Sequence, residues 1–274
     1  KINIIMFFTL VVSDSDPASK TMSLYLENEQ KFCPSSHENI FYSKKYDNIQ
    51  LYKSDTPLIY AEDLDNKVPN SQFLVFLSKH YSSAKKPSLT CHFTGNFQDN
   101  CYGGNPCELG ITFPSLQKAY LQHVFKHRDD LQSFEITIEA THHGPTSLKK
   151  PLLFVEIGST EREWNNKDIA AIVCQSLLTI LSGPINHKKK IGIGLGGNHY
   201  GSKFNFLLLN SDIAIGHICS KYNLRSINEN LLKQMITKCC EPITLIALDN
   251  KGLGKDKQRI FDLINKSGLE IIKL

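Results

Sequence analysis

Imidazole and carboxylate groups recur beside Gly and Pro at the ends of apolar runs in this chain. Two stretches concentrate them: EATHHGPTSLKKPLLFVEIGST, residues 139–160, and IGIGLGGNHYGSKF, residues 191–204. Side chains of these types bind metals, move protons and polarise carbonyls. His80 closes the run FLVFLSKH, and His92 lies in LTCHFTGN. Four separated segments thus offer His or Glu at strand ends, the usual way in which an α/β protein assembles a site.

The spacing within each stretch refines the chemistry. In FEITIEATHHGP a period of two places Glu139 and His143 on one face and His142 on the other. A single metal then takes one member of the pair, unless Gly144-Pro145 turns the chain. Glu156 is the sole charge in PLLFVEIGS. A carboxylate in such a strand requires a cation, a proton or a metal, and a nearby Lys or Arg would serve structurally. Trp164, with Glu161 and Glu163, follows in the next loop as a candidate pocket wall. GLGGNHY presents His199 from a loop whose glycines let backbone amides approach a ligand. It lacks the Lys-Ser/Thr ending of a Walker loop and matches a dinucleotide fingerprint only loosely. His217 and the helical pair His123/His127 rank lower, because the pair lacks the glutamate of a zincin helix and reads as a solvated face.

The elements that must position these groups alternate. A first strand is expected over residues 2–12, read as a buried strand rather than a signal peptide, then a helix from Pro17. LIYAEDL and SQFLVFLSKH read as the next two strands, the second buried on both faces. Residues 82–114 read as a loop-rich excursion around LTCHFTGN. SLQKAYLQHVFKHRDDL and NKDIAAIVCQSLLTIL, with Asn166 as its cap, read as helices. FEITIEAT, PLLFVEIG, KKKIGIGL, SDIAIGHICS and PITLIALDN read as strands, and a helix and a strand close the chain. Strands alternating with helices predict an α/β sandwich with a mixed, mostly parallel sheet.

Composition sets the bounds. With 41% hydrophobic and 21% charged residues over 274 positions, the chain can bury a sizeable core. A net charge of +4 suits an anionic partner but is far from that of a strongly basic nucleic-acid binder. Basic clusters in loops, among them Lys85-Lys86, Lys149-Lys150 and Lys188-Lys189-Lys190, would supply a rim for a polyanion. No apolar run approaches the roughly 20 residues of a membrane span. The eight Cys form no CxxC pair, which argues against a zinc ribbon and suits a reducing, cytoplasmic setting. Cys101 and Cys107 are spaced for either a local disulfide or a metal clip.

SDSDPAS, FLSKH, LTCHFTGN, EATHHGP, FVEIGSTEREW and GGNHYGSKF follow the order found in the archaeal and plant type of D-aminoacyl-tRNA deacylase. The chain resembles that family over nearly its whole length. The resemblance implies hydrolysis of the ester joining a D-amino acid to tRNA, zinc dependence, and a three-layer α/β/α sandwich of the phosphorylase/peptidyl-tRNA-hydrolase type. It makes residues 1–274 one domain. It points to His80, His92, His142, His143, Glu156 and His199 as candidate zinc ligands, and to Glu139, His143, Glu156 and His199 as candidate catalytic groups. Lys149, Lys150, Lys188, Lys189 and Lys190 are then expected to hold the tRNA charged with a D-amino acid. Monomer and homodimer both remain open. The Gly-rich loop departs from the family's common GGGHYAPKF at Asn198 and at Gly201-Ser202, and Asn is among the residues that tolerate a left-handed backbone. Two other classes compete: a nucleoside- or peptide-directed hydrolase of the same fold, and a non-catalytic RNA-binding protein using the basic loops.

Overall fold

The computed structural model describes residues 6–99 and 102–274. Among these, the larger sheet comprises β1 (Phe8–Val12), β2 (Cys33–Pro34), β3 (Ile40–Tyr42), β4 (Ile49–Lys53), β5 (Phe73–Tyr81), β6 (Ser88–His92), β7 (Glu135–Ile138) and β8 (Leu152–Ser159). Their spatial order is β2-β3-β4-β1-β5-β8-β6-β7. The centre, β4-β1-β5-β8, is parallel, and so is β6-β7. The β2-β3-β4 edge and the β8-β6 junction are antiparallel. A second sheet of β9 (Lys190–Leu195), β10 (Ile213–Cys219), β11 (Leu245–Leu248) and β12 (Glu270–Lys273), ordered β10-β9-β11-β12, is wholly parallel. The helices are α1 (Pro17–Asn28), α2 (Leu64–Lys67), α3 (Pro114–Val124), α4 (Glu161–Trp164), α5 (Lys167–Leu181), α6 (Ser202–Asn210), α7 (Glu229–Thr237) and α8 (Lys257–Ile264).

Local chemistry explains the central elements. β8 is buried at every position, and Leu152, Leu153, Phe154, Val155 and Ile157 are at most 1% exposed. At about 1.5–3 kcal/mol for each large apolar side chain, that burial outweighs the cost of the one carboxylate they carry with them. α1 starts where Asp16 accepts a hydrogen bond from the Ser19 amide and Pro17 fixes the first turn. α5 starts where the Asn166 side chain accepts from the amides of Asp168 and Ile169. One apolar cluster runs through both sheets, joining Leu153 and Val155 to Ile191, Ile215 and Leu245.

The structure departs from the sequence expectations at four places. The expected LIYAEDL strand is a 3-10 turn, Leu58–Tyr60, followed by α2. Its buried residues Leu58, Ala61, Leu64 and Val68 recur every three to four positions, a helical period and not a strand's. Residues 88–92, expected within the loop-rich excursion, form β6, whose five residues are all buried between β8 and β7. The first strand begins at Phe8, and positions 2–5 lie outside the described residues, as does Cys101 with its proposed partnership to Cys107. The strands divide between two sheets where a single sheet was expected. No helix among the described residues is long and apolar enough to cross a membrane.

Candidate active site

The site is laid out by strand register. Ser78 of β5, Glu156 of β8 and Thr90 of β6 stand side by side, so their side chains share one face. His80 and His92 lie two residues further along β5 and β6 and belong to the same face. Opposite His80 stands Gly158, where a Cβ would sit 2.7 Å from the His80 Cβ; only glycine fits there. The Ser78 hydroxyl donates to Glu156 Oε1 at 2.6 Å, and Thr90 Oγ1 lies 3.4 Å from Oε2. Trp164 braces the strand from behind, donating to the His80 carbonyl at 3.0 Å, so it does not wall the pocket. Glu163 closes a capping box with Thr160.

The second sheet supplies the facing half. The segment after β7 is stitched to it: Glu139 bridges Tyr200, the Ala140 amide donates to the His199 carbonyl at 2.8 Å, and the Thr141 amide donates to the Ile218 carbonyl at 3.0 Å. His217 of β10 is buried beneath this seam, 3.2 Å from Thr141 Oγ1. Burial pushes its imidazole down to about 3, so it is a neutral structural residue. Strict alternation was expected to send His142 and His143 to opposite faces. The strand instead ends at Ile138 and His143 adopts a left-handed φ of 46°, so both rings enter the same cluster, 4.5 Å apart.

Five of the sequence-selected groups, His80, His142, His143, Glu156 and His199, therefore meet with Glu139 in the floor and wall of one cavity of about 680 Å³, and a sixth, His92, lies just beneath it. Glu139 is buried and accepts from His199 Nε2 at 2.7 Å. His80 Nδ1 lies 3.1 Å from Glu139 Oε1 and 3.3 Å from Glu156 Oε2. Burial opposes the charge on His80, but the two carboxylates overcome it and raise the imidazole to about 11. Burial would likewise raise both carboxyls; the facing histidines reverse this and hold Glu139 and Glu156 well below the usual carboxylate range. Burial, reinforced by the neighbouring imidazoles, pushes His143 down to about 4 and His142 well below its ordinary value.

Three of the rings are arranged as ligands. His92, His142 and His143 each place Nδ1 on a backbone carbonyl: Phe93 at 3.2 Å, Ala140 at 2.8 Å and Gly144 at 2.6 Å. Such bonds fix Nδ1 as the protonated nitrogen and turn the Nε2 lone pair outward, the usual outer support of a metal-binding imidazole. The three rings offer donor atoms within 4.8 Å of one another. Two buried atoms, His92 Nε2 and Glu139 Oε1, make no hydrogen bond among the described residues; His80 is near the latter but off the hydrogen-bond line. Glu156 raises the proton affinity of His92 against its burial, and a cation between the rings would displace that proton. The residues thus fit a cation that takes nitrogen and oxygen ligands. Overlapping groups, Glu139-His142-His199 and His80-Glu139-Glu156, extend the set.

Sequence reasoning missed two contributors. Ser78 lies two residues before His80, and strand periodicity alone would have exposed it. Tyr200, next to His199, places its hydroxyl 2.9 Å from His80 Nε2; nothing in its spacing announced this. The selected lysines lie elsewhere. The Lys150 ammonium is committed to the end of α2, on the carbonyls of Val68 at 2.7 Å and Asp65 at 3.3 Å. Lys149 and Lys150 stand at the amino end of β8, about 20 Å of strand from Glu156 at some 3.3 Å per residue. Lys188, Lys189 and Lys190 lead into the amino end of β9, opposite the end that carries His199. They do not rim this cavity.

Fold and site together define an α/β protein with a histidine- and carboxylate-lined cavity suited to a metal ion. A family model described as D-aminoacyl-tRNA deacylase matches residues 68–272. The chain is 34% identical to a D-aminoacyl-tRNA deacylase of Cenarchaeum symbiosum, over 96% of this chain and 98% of that one. It is 36% identical to one of Methanococcus vannielii, over 95% and 97%. A crystal structure of a conserved protein of unknown function superposes with a TM-score of 0.90 at 26% identity, covering 98% of this chain and 95% of that chain. The chain belongs to the D-aminoacyl-tRNA deacylase family.

Proposed function

We propose that this protein hydrolyses the ester of D-aminoacyl-tRNA, releasing the D-amino acid and tRNA, with His92, His142 and His143 as the primary holders of a zinc ion. One observation carries the reading: in a member of the deacylase family, three imidazoles offer donor atoms within 4.8 Å of one another beside two buried carboxylates, at the cavity that His142 and His143 line. Imidazole-rich sets suit zinc. In such a set zinc supplies Lewis acidity, polarising a carbonyl and acidifying water.

The chain's own groups handle the protons. His199 donates Nε2–H to Glu139, which leaves Nδ1 as the basic nitrogen on a ring that lines the cavity. It takes the proton of the attacking water and returns it to the departing ribose oxygen. Glu139 orients that ring, in the manner of the carboxylate of a hydrolase triad. The His80 imidazolium donates to the Tyr200 oxygen, which frees the Tyr200 proton to hydrogen-bond the ester oxyanion. Glu156, held by Ser78, Thr90 and His80, fixes His80 and balances its charge. A protein that merely bound RNA would need none of this.

The test is hydrolysis of D- and L-Tyr-tRNA by purified protein before and after chelation. Turnover of the D-ester, its loss on chelation and its return with zinc are expected. Equal turnover of both enantiomers would refute the D-specific reading, and full activity without metal would refute the zinc site.

A further inference from the structure

A second cavity, of about 260 Å³, lies at the carboxyl edge of the smaller sheet, and the loop carrying His199 separates it from the first. Gly197, Asn198 and Ser202 face it from that loop, Lys221 from the exit of β10 and Lys251 from the exit of β11. Two further lining residues, Lys203 and Asp249, pair with each other at 2.8 Å and cancel. Lys221 and Lys251 are exposed and have no carboxylate partner among the described residues, so the cavity carries two uncompensated positive charges. The Lys221 ammonium lies 5.1 Å from the centre of the Tyr222 ring, itself 64% exposed. Exposed cations combined with exposed aromatic rings are how single-stranded nucleic acids are held.

The tRNA-binding lysines expected from the sequence are committed or face away, whereas this pocket adjoins the residue proposed as base. On the proposed reading as a deacylase, the reacting ester sits on the terminal ribose, and the nearest phosphate is one ribose away. We propose that the cavity bounded by Asn198, Lys221 and Lys251 binds a phosphodiester of the tRNA acceptor end and so sets the ester against His199. Lys221 and Lys251 supply charge, and the Asn198 side chain, which stands where the family commonly has glycine, supplies a neutral hydrogen-bond donor. The contact is with backbone and carries no base specificity.

The test measures binding of unacylated tRNA at several salt concentrations to wild type, to Lys221→Ala/Lys251→Ala, to Lys189→Ala/Lys190→Ala at the far end of β9, and to Lys85→Ala/Lys86→Ala beyond β5. Thermal melts check that each is folded. The first double variant is expected to bind about tenfold more weakly and to reduce the slope of log K against log salt by about 0.7, the single-strand value for one phosphate. The Lys189/Lys190 variant is expected to match wild type. Wild-type affinity and slope in the Lys221/Lys251 variant would overturn the proposal, as would a loss confined to the Lys85/Lys86 variant. Hydrolysis is assayed separately: tRNA held through this pocket without turnover of D-Tyr-tRNA would refute the deacylase reading alone, and turnover with an unaffected Lys221/Lys251 variant would refute the pocket alone.

Discussion

Glu139 is the residue on which most of the site converges, touching His80 and His199 directly and His142 at 3.6 Å. Glu139→Gln keeps an acceptor for the His199 N–H but removes the charge that stabilises its imidazolium. We expect kcat to fall by about a hundredfold or more, with a normal far-ultraviolet spectrum; a rate near wild type would take Glu139 out of the mechanism. His142→Ala and His143→Ala should each lose bound zinc and lower turnover to a similar extent, read by metal content and rate. A large asymmetry between them would contradict the shared cluster. The gathering of these groups was legible here: His80, His92, His142, His143, Glu156, His199 and Glu139 come together in space, as their repeated placement at strand ends suggested. The orientation of the His-His pair was not, because it depends on a left-handed backbone at His143 that periodicity cannot reveal. The place of the lysines was not legible, because a cation close in sequence to the site, such as Lys150, found a nearer partner in the end of α2.

At the level of elements, the close approach of β5 to β8 is a testable constraint. Gly158→Ala would drive a methyl into His80. We expect a loss of about 1–3 kcal/mol of stability, the usual cost of overpacking, together with a fall in activity, since His80 must move off Tyr200 and the carboxylates. Chemical denaturation and rate measured on the same sample would check both; unaltered activity would mean that His80 is not held by its strand. The strongly apolar elements β5, β8 and α5 were read correctly because burial on both faces, or along one helical face, leaves a clear pattern. β6 was lost because five residues between Pro87 and the Gly95 loop are too few for a period to stand out. The second sheet was invisible for another reason: periodicity says which residues are buried, not which strand lies beside which.

For the whole molecule, several groups give stability the same dependence on pH. His143 and His217 titrate near 4 and 3 in the folded chain against about 6.5 unfolded, so between those values the unfolded state binds more protons. Glu139 and Glu156, both depressed, act likewise below about 4.5. His80 acts in the opposite sense: raised to about 11, its contribution is full below 6.5 and is lost as pH rises from 6.5 towards 11. The metal-free protein should therefore melt highest near neutrality and lose stability steadily below pH 6.5. A melting temperature flat between pH 7 and 4.5 would show that the buried histidines are not held neutral. Zinc should raise the midpoint by mass action, by about 2.7 kcal/mol at a hundred times its dissociation constant, and chelation should reverse the rise.

The seam in which Glu139, Ala140 and Thr141 bond to His199, Tyr200 and Ile218 has a consequence for how the chain matures. Groups about 120 positions apart in sequence, from His80 to His199, become neighbours only once the two sheets have docked, and such distant contacts are costly to close early in folding. Trp164 is the chain's only tryptophan and reports on the large sheet through its bond to the His80 carbonyl. During refolding from denaturant, native Trp164 fluorescence should return before catalytic competence does. The protein then carries its own clock for assembly: the optical signal marks one half in place, and the first turnover marks the moment the two halves meet.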